Sequence, residues 1–343
     1  MARLALLPGP GTGPEDGPVL DLGPAAPPSV HLPDVRDRAR AAFLGLALGD
    51  ALGATVEFMT PAEIRSAHGI HRELTGGGWL RLRPGQVTDD TELSLAMARA
   101  IDAAGGWSLL GVAEAFAGWL KGRPADVGAT CRSGIRRYII DGTLQGKPGA
   151  WDAGNGAAMR VLPVALLTLG DDEGLWRLAV AQARITHHHP LSDAACVLVG
   201  RLVQQACLGR SLRHLRAGAE AAGREVPHFR FEPYRGLATG YVADTLQTVL
   251  HHLFTTRDFE GCLTAVVNQG GDADTTGAIA GAIAGAYYGP EGLPARWLRR
   301  LDRALVAELT RLADRLVALS PLAARVSDGA GGPPPVAGGA AAP

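Results

Sequence analysis

The stretch that decides the fold reads Gly277-Ala278-Ile279-Ala280-Gly281-Ala282-Ile283-Ala284-Gly285-Ala286-Tyr287-Tyr288-Gly289. Its glycines Gly277, Gly281 and Gly285 recur every four residues, so on a helix they share one face. Such a face also occurs in membrane helices, but this run is much shorter than a bilayer span and follows two aspartates. We therefore predict a core helix whose glycines let another backbone approach closely.

Two short acidic clusters offer carboxylates beside hydroxyls. One, Asp272-Ala273-Asp274-Thr275-Thr276, leads into the glycine-rich run, and the other, Thr88-Asp89-Asp90-Thr91, leads into an apolar segment at 93–97. Oxygen ligands suit Mg²⁺ or Mn²⁺ rather than zinc. If the fold brings the clusters together, they can hold a pair of divalent ions acting as Lewis acids. The alternative is that each cluster only opens a helix, because Asp and Thr favour N-caps and complement the helix dipole.

Apolar residues recur at helical spacing over much of the chain. One stripe belongs to a helix beginning near Val35, a second follows the cluster at 88–91, and a third runs from Trp297 to Leu309. Alternating strand patterns are nearly absent, and no repeat or interdomain linker interrupts the pattern. We predict one all-α domain over 35–325. Further Ala-rich helical segments are predicted at 108–121, 156–169, 173–186, 191–208 and 240–253.

The two ends of the chain differ from this middle part. Residues 1–34 and 326–343 are rich in Pro and Gly and lack hydrophobic periodicity, so both are predicted to be disordered tails. An apolar patch at 4–7 is too short for the hydrophobic region of a signal peptide and is followed closely by prolines. No direct membrane insertion is expected.

Composition narrows the choice of partners and compartment. The 343 residues carry a formal charge of −1 with acids and bases mixed throughout, which gives no electrostatic reason to expect nucleic acid or an anionic membrane as a partner. The four cysteines form no C-x-x-C pair and sit among apolar or small residues. They are typical of reduced, buried cysteines in a cytoplasmic protein.

Several motifs along the chain occur in the order found in ADP-ribosylglycohydrolases, and the chain resembles that family over nearly its whole helical region. The resemblance implies an orthogonal α-helical bundle, a binuclear Mn²⁺ or Mg²⁺ centre, and removal of ADP-ribose from a modified arginine. The motifs are GLALGDALG at 45–53 with Glu57, QVTDDT at 86–91, DVG at 126–128, GNGAAMR at 154–160, TH at 186–187 and NQGGDADTTG at 268–277.

The resemblance also assigns the metal ligands. Bound there, the ions can engage the ribose hydroxyls and lower the pKa of a bound water, which serves a reaction that passes through an oxocarbenium-like state. The implied ligands are Thr88, Asp89, Asp90, Asp272, Asp274 and Thr275.

Two acids are implied to take part in the chemistry. The resemblance makes Glu57 a general base near the metals, although a lone Glu after a helix is usually solvated. It makes Asp126 the carboxylate that pairs with the substrate arginine or handles its proton. On residue type alone, Asp126 fits equally a helix cap, since it lies in a turn-like setting before Gly128.

Five residues are candidates for contact with the substrate. Gly154, Asn155 and Gly156 can present backbone N–H groups and an amide to ribose or phosphate, although Asn-Gly is also ordinary turn chemistry. His187 opens a run of three adjacent histidines, which cannot all face one metal and which otherwise form a polar turn. By resemblance, His187 contacts the nucleotide and Tyr241 stacks on or bonds to ADP-ribose; Tyr241 is otherwise an amphipathic core residue.

Within the family, the stretches at 76–82, 131–138 and 228–234 are similar to the branch that acts on nitrogenase iron protein. That branch implies the ADP-ribosylated iron protein as substrate, with a PII signalling protein and a membrane ammonium channel as partners that draw a cytoplasmic enzyme to the membrane. One departure is Ala129, where the family has Asn in Asp-x-Gly-Asn-Thr, so a polar contact on the ribose side is expected to be missing.

Two other interpretations stay open at this point. One is a non-catalytic ADP-ribose-binding or structural homologue, which is expected to have lost some of the acids that this chain retains. The other keeps the hydrolase but changes the acceptor to serine, nucleic acid or a free metabolite.

Overall fold

No β-strand forms between residues 30 and 329, the part of the chain that this computed structural model describes. The prediction of a single-domain all-α fold is confirmed, with two short 3₁₀ helices at Pro227–Phe229 and Pro290–Gly292. The α-helices are α1 Leu32–Gly53, α2 Pro61–His68, α3 Asp89–Ala104, α4 Leu109–Lys121, α5 Ala129–Asp141, α6 Leu162–Leu167, α7 Asp172–Ala183, α8 Pro190–Cys207, α9 Leu212–Glu225, α10 Val242–Thr255, α11 Phe259–Val267, α12 Ala273–Tyr288, α13 Ala295–Leu298, α14 Arg303–Ala318 and α15 Pro321–Gly329.

The centre of the bundle is the contact between α1 and α12, which is made backbone to backbone. A Cβ on Gly49 would lie 1.9 Å from the carbonyl oxygen of Gly277, and one on Gly281 would lie 2.0 Å from that of Gly45. Real Cβ atoms do not approach an oxygen so closely, so only glycine fits. The predicted role of the glycine-rich run is confirmed.

The two helices run antiparallel, because contacts move toward the start of α12 as they move toward the end of α1. At the far end, Gly53 lies against the backbone of Ala273. The C-terminal end of α1 is thereby fixed beside the N-terminal end of α12. The second acidic cluster, at 272–276, therefore lies next to the segment that leads from α1 to Glu57.

Two predicted helices differ from those observed. The segment 156–169 is helical only in α6, because residues 156–160 form turns and Pro163, which lacks an N–H, fits only in the first turn of a helix. The stripe from Trp297 to Leu309 is divided into α13 and α14. The carboxylate of Asp302 accepts hydrogen bonds from the N–H groups of Ala304 and Leu305 and so starts a new helix.

The predicted tails lie mainly outside the described residues, so that prediction stays open; α1 begins at Leu32, and α15 extends to Gly329. All four cysteines are buried and free of disulfide bonds, as the sequence predicts. In the described part of the chain, no helix has the length and apolarity that a membrane span requires.

Candidate metal centre and substrate cavity

A cavity of about 380 Å³ opens where the ends of α1, α3, α5 and α12 meet. Its wall brings together residues from all six motifs, although these lie far apart in the sequence. The predicted site residues that line it are Glu57, Asp89, Asp126, Gly154, Asn155, Gly156, His187, Asp272, Asp274 and Thr275.

Carboxylates crowd one side of this cavity. One oxygen each from Glu57, Asp272 and Asp274 lie within 4.8 Å of one another, close enough to share a cation. Thr88 and Asp90 are buried and do not line the cavity wall. They are joined to it, because the Oδ2 atom of Asp90 lies 3.3 Å from the hydroxyl of Thr88 and 3.3 Å from that of Thr275.

Both acidic clusters open a helix, yet neither first residue uses its side chain as a cap. Thr88 is the N-cap of α3 and Asp272 the N-cap of α12, and neither makes a side-chain capping bond. At α3 the capping is done by Asp50, whose carboxylate accepts from the N–H groups of Thr88 and Thr91. The Thr88 hydroxyl donates instead to Asp50 and Asp90, and Asp272 lines the cavity, so helix capping alone does not account for the clusters.

The cluster is electrostatically crowded. Burial raises the pKa of Glu57 to about 8, that of Asp89 to about 7 and that of Asp50 to about 6. The pKa values of Asp90 and Asp274 lie well above the usual range, again chiefly because of burial. Repulsion from neighbouring carboxylates adds to the shift at all of these except Asp50.

The donor set fits a hard divalent cation. The Oδ1 atom of Asp90 is buried and has no hydrogen-bond partner among residues 30–329. No lysine or arginine is among the described residues that line the cavity, so the carboxylates have no neighbouring cationic side chain there. Carboxylate and hydroxyl oxygens around such an atom are the ligands that Mg²⁺ and Mn²⁺ prefer.

Glu57 is held by a tryptophan. The indole Nε1 of Trp79 donates to Oε2 of Glu57 at 2.5 Å, and the Trp79 ring lies 5.5 Å from that of Phe58. The loop that carries Trp79 closes on the end of α1 through Gly78, whose φ is +67° and whose Cβ would lie 2.4 Å from the oxygen of Ala54. Glu57 is therefore a fixed, buried group and not a solvated one.

Asp126 also lines the cavity and is half-buried. Its Oδ1 accepts the N–H of Val127, and α5 has Gly128 as its N-cap with no side-chain capping bond. Asp126 is thus not the cap of α5. Burial, with the negative charge of Asp272, raises its pKa. Ala129, the first residue of α5, also lines the cavity and places a methyl group where the family motif has an amide.

The remaining predicted contacts are residues 154–156, His187 and Tyr241. Asn155 donates from Nδ2 to Asp272 at 2.8 Å and to Thr245 at 3.0 Å. A Cβ on Gly154 would lie 2.9 Å from Nε2 of His187, so this glycine makes room for the imidazole. Tyr241 does not line the cavity; it pairs through its backbone with Gly154, and its side chain is 37% exposed, which argues against a core role.

The other two histidines of the run are used structurally. His188 bonds through Nδ1 to the carbonyl oxygen of Gly146, and His189 caps α8 by accepting the N–H of Leu191. Only His187 of the three lines the cavity.

Two residues at the centre of this arrangement are absent from the predicted site. Asp50 could have been found as the single charged residue in the apolar stretch 41–53 of α1, since a buried acid needs partners. Trp79 follows three consecutive glycines, a pattern that indicates a closely packed loop but does not say which group the indole meets.

The comparisons with known proteins agree with this geometry. A family model for ADP-ribosylglycohydrolases matches residues 31–325, and the chain belongs to that family. The chain is 56% identical to an ADP-ribosyl-[dinitrogen reductase] glycohydrolase of Rhodospirillum rubrum over 290 residues, which cover 84% of this chain and 99% of that protein.

More distant relatives have related names. The chain is 29% identical to the ADP-ribosylarginine hydrolase Tri1 of Serratia proteamaculans, with 83% of this chain and 80% of that protein covered. A solved structure described as an ADP-ribosylglycohydrolase-related protein complex superposes with a TM-score of 0.74 at 34% identity, covering 84% of this chain and 99% of that chain.

Proposed function

We propose that this protein is a metal-dependent hydrolase that removes ADP-ribose from a modified arginine on nitrogenase iron protein and thereby reactivates it. The observation that carries the proposal is the high identity to the Rhodospirillum rubrum glycohydrolase across almost the whole of that protein. The cavity supports it, since Glu57, Asp126 and the acidic clusters are all retained and converge. A non-catalytic homologue has no need to bury so many carboxylates together.

The proposed ligands of two divalent ions, Mn²⁺ or Mg²⁺, are the six residues of the acidic clusters implied by the family. When bound, such ions bind sugar hydroxyls and lower the pKa of water. Asp90 supports this assignment most directly, because its Oδ1 is buried without a hydrogen-bond partner among the described residues, while its Oδ2 accepts from the hydroxyls of Thr88 and Thr275. The carboxylate of Asp50 accepts hydrogen bonds from the N–H and the hydroxyl of Thr88 and so fixes the start of α3.

The side chains suit hydrolysis of an N-glycosidic bond. Glu57 is fixed by Trp79, and the charge of bound cations would favour its ionised form; as the carboxylate it accepts a proton from the attacking water while the new C–O bond forms at the anomeric carbon. The C–N bond to the guanidine breaks, and its electron pair goes to the nitrogen. Asp126, a half-buried residue of the same cavity wall, pairs with the guanidinium of the substrate and supplies or steers the proton that the leaving group takes up. The product guanidinium is then released with its charge restored.

ADP-ribose binding is proposed for the glycine-rich part of the cavity wall. Gly154, Asn155, Gly156 and His187 face the cavity there. Tyr241 is partly exposed and pairs through its backbone with Gly154, which supports assigning it to the part of the ligand that leaves the cavity.

The decisive experiment incubates the protein with ADP-ribosylated nitrogenase iron protein, with and without Mn²⁺. Release of ADP-ribose and recovery of nitrogenase activity only with metal are expected. No release under either condition, from protein shown to bind Mn²⁺, would contradict the proposal.

A second acceptor class is favoured by the resemblance to the ADP-ribosylarginine hydrolases Tri1. In that case other ADP-ribosylated arginine proteins are hydrolysed at comparable rates. A panel of such proteins beside the iron protein separates a dedicated enzyme from a general one. Regulation by a PII protein, recruitment to a membrane through partners and a cytoplasmic location stay predictions.

A further inference from the structure

Arg160 is a fully buried cation with no carboxylate partner among the described residues. Its guanidinium donates to the side-chain and backbone oxygens of Gln182 at 3.0 and 3.2 Å and to the hydroxyl of Thr186 at 2.7 Å. It also lies 3.5 Å from Sγ of Cys131 and 4.5 Å from the ring centre of Phe116. Burying a charge among neutral partners is costly, which calls for a reason beyond packing.

Hydrogen bonds through Thr186 connect the guanidinium of Arg160 to the cavity. The hydroxyl of Thr186 lies 2.8 Å from Nδ1 of His187, and His187 lines the cavity. The other ring nitrogen, Nε2, packs beside Gly154 and Gly156, where no side chain intervenes. Within the part of the chain that the structure describes, no protein acceptor is hydrogen-bonded to this Nε2.

The positive charge of Arg160 determines whether the Thr186 hydroxyl or Nδ1 of His187 is the donor in the hydrogen bond between them. Arg160 can only donate, so the Thr186 oxygen receives one hydrogen from it. If the Thr186 hydroxyl donates to Nδ1, the imidazole presents its electron-rich nitrogen toward the cation. The reverse arrangement places an N–H dipole against a cation in a low-dielectric interior, where such interactions are strong. The thiol of Cys131 is a weak alternative acceptor for the hydroxyl.

His187 is also neutral. Burial, together with the positive charge of Arg160, lowers the pKa of His187 to about 3. A neutral imidazole carries one N–H, and if Nδ1 accepts, Nε2 must carry the proton.

We infer that Arg160 and Thr186 are positioning residues that fix His187 in the Nε2–H tautomer, so that His187 donates a hydrogen bond to an oxygen of the ligand in the cavity. The matching ligand group is an acceptor, such as a ribose or phosphate oxygen, and not a hydroxyl that must donate. The inference rests on the proposed function only in naming ADP-ribose as that ligand.

The tautomer is measurable in the protein alone, with ¹⁵N-labelled histidine and long-range ¹H–¹⁵N correlation spectra. The signals of His187 are identified by their loss in His187→Asn. An unprotonated Nδ1 and a protonated Nε2 are expected, and a protonated Nδ1 in the wild-type protein would overturn the inference. In Thr186→Val, which keeps the volume but removes the hydroxyl, the spectrum should show the proton shared between the two nitrogens. In Thr186→Ser it should stay on Nε2.

The affinity for free ADP-ribose is a second test of the positioning role. Thr186→Val should weaken binding by about tenfold, the size of one hydrogen bond, while Thr186→Ser should bind as the wild type does. The matched control is Thr168→Val, which removes another buried hydroxyl, bonded to the carbonyl oxygen of Val164, and should leave affinity unchanged. Equal loss in both valine variants would mean general destabilisation and would refute the positioning role.

A pair of substitutions at His187 tests the donor itself. The amide nitrogen of Gln reaches the position of Nε2, whereas that of Asn reaches only Nδ1, so His187→Gln should retain about tenfold more ADP-ribose affinity than His187→Asn. Equal affinities would overturn the donor assignment. Neither the spectra nor the affinity measurements require turnover. They therefore remain valid if the protein fails to hydrolyse the modified iron protein, and the two proposals can fail independently.

Discussion

At the scale of single residues, the proposed metal site depends on carboxylates that repel one another until a cation joins them. Asp90 is the most deeply buried of them and has one oxygen without a hydrogen-bond partner. The negative charge proposed to bind the metal is therefore also the charge that is costly to bury. Replacing Asp90 by its neutral isostere Asn tests the two effects separately, through activity and through stability.

We expect Asp90→Asn to lower turnover at least about 100-fold, because even partners outside the coordination shell of a metal contribute about 10- to 100-fold. Without metal, the variant should unfold at the same or a higher temperature than the wild type, since a buried acid is replaced by an amide. Mn²⁺ at about 100 times its Kd should stabilise the wild type by roughly 2.7 kcal/mol and the variant much less.

Calorimetry with and without Mn²⁺, beside an activity assay, measures all three effects. Glu173→Gln, which removes an exposed carboxylate, serves as the control and should behave as the wild type. An Asp90→Asn protein with full activity would exclude Asp90 from the site.

Asp126 should behave differently from the cluster acids, because its proposed role is with the substrate guanidinium and its proton. Asp126→Asn keeps the shape but removes the charge, so turnover should fall by roughly a hundredfold or more while metal content and affinity for free ADP-ribose are retained. Metal analysis, ADP-ribose titration and turnover on one preparation test this. Loss of bound metal would move Asp126 into the coordination sphere, and near-normal turnover would deny it a role.

How far the sequence predicts this site differs from residue to residue. The acidic clusters are visible because Asp and Thr repeat at ligand spacing, and Glu57 and Asp126 because they match family motifs. Asp50 and Trp79 are not, because their importance comes from contacts with residues distant in sequence: Asp50 caps a helix 38 residues away, and Trp79 meets Glu57 across a loop.

At the scale of helices, the pairing of α1 and α12 is the contact on which the site depends. We expect Gly49→Ala to destabilise the protein by about 3 kcal/mol or more, because its methyl group would have to displace the backbone of Gly277. The matched control is Gly218→Ala in α9, where a Cβ would meet nothing within 4 Å. That change should stabilise by about 0.5–1 kcal/mol through lost freedom of the unfolded chain.

Urea unfolding of both variants gives the two free energies. Similar values for Gly49→Ala and Gly218→Ala would show that α1 and α12 can separate without cost, contrary to the close backbone contact described above.

The sequence predicts helix identity better than helix ends. The run at 277–289 and the segment at 191–208 are close to α12 and α8 because their composition and periodicity agree over many residues. The division between α13 and α14 was missed because an apolar stripe continues across it, while a local side-chain cap from Asp302 ends one helix and starts another. Hydrophobic periodicity indicates which residues are buried, and it does not indicate where the backbone turns.

At the scale of the whole molecule, buried histidines make stability depend on pH. Burial, with the neighbouring His251, lowers the pKa of His252 to about 4. Between that value and the ordinary 6.5, the unfolded chain binds a proton that the folded protein excludes. The stabilising contribution is therefore complete above about pH 6.5 and is lost as the pH falls toward 4.

We expect acidification from pH 7 to pH 5 to cost about 1–2 kcal/mol through this group alone, after allowance for its partial exposure. His252→Gln should reduce the pH dependence by that amount, whereas His228→Gln, at an exposed position, should not. Denaturant unfolding at the two pH values provides the comparison. Parallel pH dependence in the wild type and His252→Gln would assign the acid sensitivity to other groups.

The distance along the chain between the two acidic clusters has a consequence for biosynthesis. Asp90 and Thr275, which meet in the site, are separated by 185 residues, and Asp50, which bonds to Thr88 and Thr91 of the first cluster, lies earlier still. A ribosome that has made α1 to α11 has produced only half of the proposed ligands. On the proposed assignment, the centre can therefore be filled with metal only after α12 has emerged and docked along the glycines of α1. We accordingly expect an unfinished or truncated chain to have no high-affinity site with which to withdraw manganese or magnesium from the cell.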